Sequence, residues 1–150
     1  VYKRILIATD GSPCGEVGVR HGVRLARLTG AEVIFIHVLE AVSPPVHAGI
    51  PAEIDFEEHL EAARQMGSSA LEAAQRLARD AGVLARARLV GPADPVESIV
   101  EVSEEEACDL IVMGSHGRSG LRRLILGSVT EGVLRRIATA LLVVPCSRGA

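Results

Sequence analysis

Residues 109–132 read DLIVMGSHGRSGLRRLILGSVTEG, and the fold is decided by how this stretch is read. Its opening, 109–113, is a short run that is apolar from Leu110 to Met113. Such a run suits a strand buried on both faces, as in a parallel sheet covered by helices. Residues 114–126 follow as a longer connection. Ser128-Val129-Thr130-Glu131 then reads as a capping box, opening a helix to about Arg136. Residues 140–144 (ALLVV) form a last strand, stopped by Pro145 and placed at the sheet edge.

The same alternation runs back to the start of the chain. Residues 3–9 (KRILIAT) and 32–38 (EVIFIHV) are apolar runs of the buried kind, while 84–90 (LARARLV) alternates as a strand nearer an edge does. Ser12 is a good N-cap and Pro13 suits the first helical position, so a helix runs to about Thr29 with Gly30 as its stop. Gly15, Gly18 and Gly22 lie on neighbouring turns of that helix and predict an unusually close approach to a neighbour. Residues 40–52, with Pro44, Pro45, Gly49 and Pro51, read as a loop. A helix resumes near Glu53 and ends at Gly82, with Leu60, Ala63, Ala70, Leu71, Ala74, Leu77 and Ala78 expected to face the core. Asp94-Pro95-Val96-Glu97 opens another helix, which ends before Cys108. The order is βαβαβαβαβ, which predicts a single α/β domain: an open five-stranded parallel sheet with helices on both faces, Rossmann-like. Ligands of such sheets sit beyond the carboxyl ends of the strands, where strand order reverses. Thr9-Asp10 and Met113-Gly114 end the first and fourth strands and are the places to look for chemistry.

Composition narrows the function. The chain has 150 residues, 48% of them hydrophobic, enough for one real core. A net charge of −3 argues against a general nucleic-acid binder, and 2% aromatics without Trp argue against a base-stacking platform. No leader and no membrane span are read in the sequence, which predicts a cytoplasmic protein. Cys14, Cys108 and Cys146 are odd in number and widely spaced, so free thiols in a reducing compartment are expected, serving as packing residues. His21, His37, His47 and His59 show no metal-ligand spacing.

Three features coincide after the fourth strand. Gly114 and Gly117 free the backbone to approach a ligand, Gly127-Ser128 stands where a helix begins, and Arg118, Arg122 and Arg123 add positive charge. Together they describe an anion site, with phosphate the usual anion. A plain turn and a plain helix cap are the simpler structural alternative for the same residues.

Gly114, two residues, Gly117, nine residues, Gly127-Ser128 resembles the ATP-binding signature of the universal stress protein family. The similarity extends to Thr9-Asp10, to His37-Val38, to Gly-Ser-Val-Thr-Glu at 127–131 and to Leu-Val-Val-Pro at 142–145. It departs where Ala140-Leu141 stands in place of a common proline, and in the glycines of the first helix. The resemblance implies a fold of the adenine nucleotide alpha-hydrolase-like kind and a nucleotide-binding stress-response protein. By it, Ala8, Thr9 and Asp10 contact the adenosine, and Val38 offers backbone groups to the adenine edge. Met113 and Gly114 line the pocket, and Gly117 and Arg118 lie against the phosphates. Gly127, Ser128, Val129 and Thr130 bind phosphate through N–H and hydroxyl groups. His116, inside the motif, either touches phosphate or is an exposed loop histidine. Mg²⁺ or Mn²⁺ accompanies the ATP, held mainly by phosphate oxygens. The resemblance also implies a homodimer through the C-terminal strand, with a further protein partner left open.

A slow ATPase or phosphoryl-transfer enzyme, with Asp10 or Thr130 as candidates, is the alternative. No Walker lysine or catalytic base is evident in the sequence. A phosphoacceptor domain ranks lower, because residues 145–148 carry no lysine. A dinucleotide oxidoreductase is weak, because no G-x-G-x-x-G follows the first strand.

Overall fold

The computed structural model describes residues 1–41, 49, 52–116 and 126–146, with backbone alone for 52–55. Strands β1 (Arg4–Ala8), β2 (Glu32–Glu40), β3 (Ala85–Ala93), β4 (Leu110–Gly114) and β5 (Ala140–Val144) alternate with helices α1 (Pro13–Thr29), α2 (Ala52–Asp80), α3 (Pro95–Glu105) and α4 (Ser128–Arg136). The strands form one sheet in the order β3-β2-β1-β4-β5, and every neighbouring pair is parallel. Strand order therefore reverses between β1 and β4, at the two ends singled out in the sequence. The edges are β3 and β5, as their patterns predict.

Successive side chains of a strand point to opposite faces, and β1 divides its burial accordingly. Ile5 and Ile7 join Val33, Phe35, Leu110 and Val112 against α1 and α2. Leu6 joins Ile34, Ile36, Ile111 and Met113 against Ile99 and Val102 of α3 and Val133 of α4. Full burial of each such aliphatic side chain stabilises by about 1.5–3 kcal/mol, so neither face can be left uncovered.

The glycines of α1 meet the expected close neighbour. A Cβ on Gly22 would stand 2.5 Å from Ile7 Cδ1, and one on Gly18 would stand 3.0 Å from the Gly114 nitrogen. The helix thus rests on the backbone at the carboxyl end of β4. Its start is held by Ser12, whose hydroxyl accepts the Gly15 N–H at 3.1 Å. Its end is held by Gly30 at φ 74, a left-handed position open to glycine. Asp94 caps α3 in the same way as Ser12 caps α1, accepting the Glu97 N–H at 2.9 Å.

Three sequence expectations are corrected. β2 and β3 run on to Glu40 and Ala93, because a register shift between Val38 and Glu40 lets the ladder continue past Gly91-Pro92. The core stripe of α2 reduces to Leu71, Ala74 and Ala78, with Leu77 exposed. The cause is length: 29 residues of helix span roughly 44 Å against about 30 Å for a nine-residue strand, so Leu60 and Ala63 lie beyond the sheet. Cys14 and Cys146 are not free thiols: they form a disulfide, with Cα atoms 5.4 Å apart, and Cys108 alone stays free among the described residues. Their separation of 132 residues hides the pairing from sequence spacing. The parallel topology reveals it, since α1 begins and β5 ends at the same, carboxyl end of the strands.

Candidate functional site

A cleft of about 650 Å³ opens at the carboxyl ends of β1 and β4. That is the size range of small-molecule sites. Every described residue of the sequence-predicted site lines it: Ala8, Thr9 and Asp10 after β1, Val38 on β2, Met113 and Gly114 on β4, and Gly127 to Thr130 at the start of α4. Gly117 and Arg118 lie outside the described residues.

Each wall has a local cause. On the β1 side, the Asp10 Oδ1 accepts the Ser12 N–H at 2.9 Å and the Ser12 hydroxyl at 2.5 Å. This turn sets the Asp10 carboxylate at the cleft while Ser12 caps α1. Thr9 is buried and its hydroxyl accepts the Gly11 N–H. The His37 Nδ1–H donates to the Thr9 carbonyl at 2.9 Å, which a carbonyl acceptor requires and which fixes the tautomer of a neutral ring. The ladder between β1 and β2 ends at Ala8 and Ile36, and the Ile36 carbonyl takes the Thr9 N–H at 3.0 Å. Val38, two residues on, turns its backbone groups to the same side, where β1 has already ended. That places peptide polarity along the cleft.

The α4 wall differs from expectation in detail. Gly127, not Ser128, is the N-cap, and no side chain caps this helix. The predicted capping box does not form, because Ser128 already belongs to the first helical turn; the Thr130 hydroxyl turns inward and donates to the Gly114 carbonyl at 3.1 Å. The Gly127 N–H donates to the Ser115 carbonyl at 2.8 Å, and the Ser115 N–H to the Val144 carbonyl at 2.9 Å. These two amides and the Thr130 hydroxyl proton are therefore used within the protein. What the first turn of α4 offers the cleft is the exposed Ser128 hydroxyl and the positive end of an uncapped helix.

Sequence reasoning missed one wall. Phe56, His59, Leu60 and Ala63, on the overshooting amino-terminal part of α2, close the cleft from the side opposite α4's first turn, together with His37 and Glu40 of β2. The spacing 56, 59, 60, 63 marks one helix face, which was the available signal, but periodicity does not tell a cleft-facing stripe from a core-facing one. His116 also lines the cleft.

The opposite, amino-terminal end of the sheet carries ion pairs. Arg4 pairs with Glu32, Arg86 with Glu106 at 2.7 Å and Arg88 with Glu105 at 2.9 Å. Asp109 accepts the N–H groups of Lys3 and Arg4 at 2.9 and 3.1 Å. Desolvation pushes the carboxyl of this exposed residue up, and those backbone donors outweigh it, leaving the group below its ordinary value of 3.8.

With this geometry in place, comparison with known proteins assigns the family. The family model for the Universal stress protein family matches residues 1–145. The chain belongs to the universal stress protein family. Among curated members, it is 38% identical to Universal stress protein MJ0531 of Methanocaldococcus jannaschii, covering 96% of this chain and 82% of that one. It is 31% identical to Universal stress protein MJ0577 of the same organism, covering 96% and 95%. The solved structure of MJ0577 superposes with a TM-score of 0.75 over 99% of both chains. A universal stress protein solved in complex with cAMP is 26% identical, with a TM-score of 0.69 over 97% and 98% of the chains. The five-stranded parallel fold is thus the fold of this family, and at least one member at this distance holds an adenine nucleotide. Among the described residues of this member, no helix is long and apolar enough to cross a membrane.

Proposed function

We propose that this protein binds an adenine nucleotide, ATP first among them, in the cleft between β1 and β4, and acts as a nucleotide-dependent binding module in a stress response. The observation that carries the reading is the uncapped amino end of α4 bordering a 650 Å³ cleft at the switch point of the sheet. The family relative in complex with cAMP supports the choice of ligand class. In this reading Ser128 and Val129 meet the phosphates, the Asp10 carboxylate accepts from ribose hydroxyls, and the Val38 backbone reads the adenine edge. Ala8, Thr9, Met113 and Gly114 shape the pocket, Gly127 and Thr130 hold α4 in place, and Gly117 and Arg118 add phosphate contacts. Mg²⁺ or Mn²⁺ would be held through phosphate oxygens. Among the described residues no group of three His, Cys, Asp or Glu side chains gathers to hold a metal by itself.

The reading assigns the protein to the cytoplasm, and a second copy to the exposed edge of β5, whose unpaired backbone groups suit strand pairing. Light scattering on a gel-filtration peak checks the dimer, and a monomer across the accessible concentration range overturns it.

Isothermal titration of ATP, ADP and AMP into the purified protein, with and without Mg²⁺, tests the ligand. Saturable binding with one site per chain is expected. No binding at millimolar nucleotide overturns the proposal. ATP turnover well above background would move the reading to a slow ATPase.

A further inference from the structure

The Cys14–Cys146 pair lies at the carboxyl end of the sheet, and its surroundings connect it to the cleft. The Cα separation of 5.4 Å is within the range a disulfide bridges. Ser115 sits between the two: its hydroxyl contacts the Cys14 sulfur at 4.0 Å and the Cys146 sulfur at 3.8 Å, and accepts the Cys146 N–H at 3.3 Å. The same residue receives the Gly127 N–H on its carbonyl and sends its own N–H to Val144. One residue therefore joins the end of β5, the sulfur pair and the N-cap of α4.

We infer that Cys14 and Cys146 form a reversible thiol–disulfide switch, whose closed form clamps the end of β5 to the first turn of α1 and, through Ser115, fixes the amino end of α4 that borders the cleft.

The two sulfurs are unequal in the way a labile disulfide needs. Cys14 is buried and is the second residue of the 17-residue helix α1, where the helix's positive end stabilises a thiolate. A stabilised thiolate leaves readily in exchange. Cys146 is only partly buried, so it is the sulfur an incoming thiolate reaches. Opening is attack of a small thiolate on Cys146 Sγ, forming a mixed disulfide and expelling the Cys14 thiolate. A second small thiolate then attacks the mixed disulfide and frees Cys146. The two electrons that reduce the protein come from two small thiols, which leave joined as one small-molecule disulfide. Closing runs the same steps backward, with a small-molecule disulfide such as oxidised glutathione as oxidant. Cys108 takes no part: it is buried on the α3 and α4 face of the sheet, packed with Leu6 and Val102.

Closing the pair preorganises Ser115 and α4, so the oxidised form should bind nucleotide more tightly. Only this last step rests on the nucleotide reading. The test equilibrates the wild-type chain across ratios of reduced to oxidised glutathione. Mass spectrometry then follows the Cys14–Cys146 crosslinked peptide, and hydrogen exchange follows segments 110–116 and 126–130. A crosslink that forms and disappears reversibly is expected, with exchange at the Ser115 and Gly127 amides about tenfold faster in the reduced form. ATP affinity should fall about threefold or more on reduction, in wild type and in Cys108→Ser alike, and Cys146→Ser should match the reduced form. Absence of the crosslink at every ratio, or exchange that does not respond to it, overturns the switch. Exchange that responds while ATP affinity stays equal overturns its link to the cleft. If exchange responds and neither form binds any adenine nucleotide, the switch stands and the nucleotide reading fails.

Discussion

Replacing Gly114 with Ala separates two reasons for a glycine at the end of β4. A signature glycine invites the view that it makes room for a ligand. Here a Cβ at position 114 would lie 2.8 Å from the Cys14 carbonyl oxygen and 3.2 Å from both the Cys14 carbonyl carbon and Sγ. Two of those three atoms are backbone of the first turn of α1, which Ser12 and Pro13 hold in place. Non-bonded atoms rest at roughly 3.5 Å, so α1 or β4 must give by about 0.5 Å or more. Overpacking of this kind costs about 1–3 kcal/mol, and alanine returns roughly 0.4–1 kcal/mol by restricting the unfolded chain. Mid-range values of the two leave a net loss of about 1.3 kcal/mol, a fall in Tm of roughly 3–5 °C for a chain of this size. The assay is urea unfolding followed by far-UV circular dichroism, on protein stripped of nucleotide. The midpoint should drop with the slope unchanged. If the nucleotide-free variant is as stable as wild type, the glycine does not serve the packing of α1 on β4.

Other outcomes follow from single groups. Ser128→Glu puts a carboxylate at the first turn of α4, where the helix itself tolerates or favours negative charge, so the fold should hold while a phosphate is repelled. A unit charge about 6 Å away is worth roughly 2–3 kcal/mol near a protein surface, so ATP affinity measured by calorimetry should fall on the order of tenfold to a hundredfold; unchanged affinity puts the phosphate elsewhere. Burial, with the Glu106 carboxylate adding to it, pushes the Cys108 thiol up to about 11 from 9.0. Alkylation of Cys108 at pH 8 should then be at least roughly a hundredfold slower in the native protein than in urea, as followed by intact mass. Asp109 has a carboxyl held below 3.8, so its contribution to stability is present above that pH and is lost as pH falls through the lower, folded-state value. Asp109→Asn should unfold at a lower urea concentration than wild type at pH 7, and the gap should close under more acid conditions; a gap that does not depend on pH refutes the assignment.

Much of this protein is legible in the chain before any coordinate. Short apolar runs without alternation forced strands covered on both faces, and Ser12-Pro13, Gly30 and Asp94-Pro95 punctuated the helices where they begin and end. Those signals are local, because a cap or a buried strand is specified within a few residues. The spacing of Gly114, Gly117, Gly127 and Ser128 pointed to the family by the same kind of local pattern. Tertiary structure decided whatever depends on elements meeting. It turned the stripe at Phe56, His59, Leu60 and Ala63 into a cleft wall, since only the relative lengths of α2 and the sheet show that the helix overshoots. It spent the Gly127 N–H and the Thr130 hydroxyl on Ser115 and Gly114, because the return of α4 to the end of β4 brings those groups within reach. It joined Cys14 to Cys146, because parallel strands bring to one, carboxyl end of the sheet segments that the sequence keeps 132 residues apart.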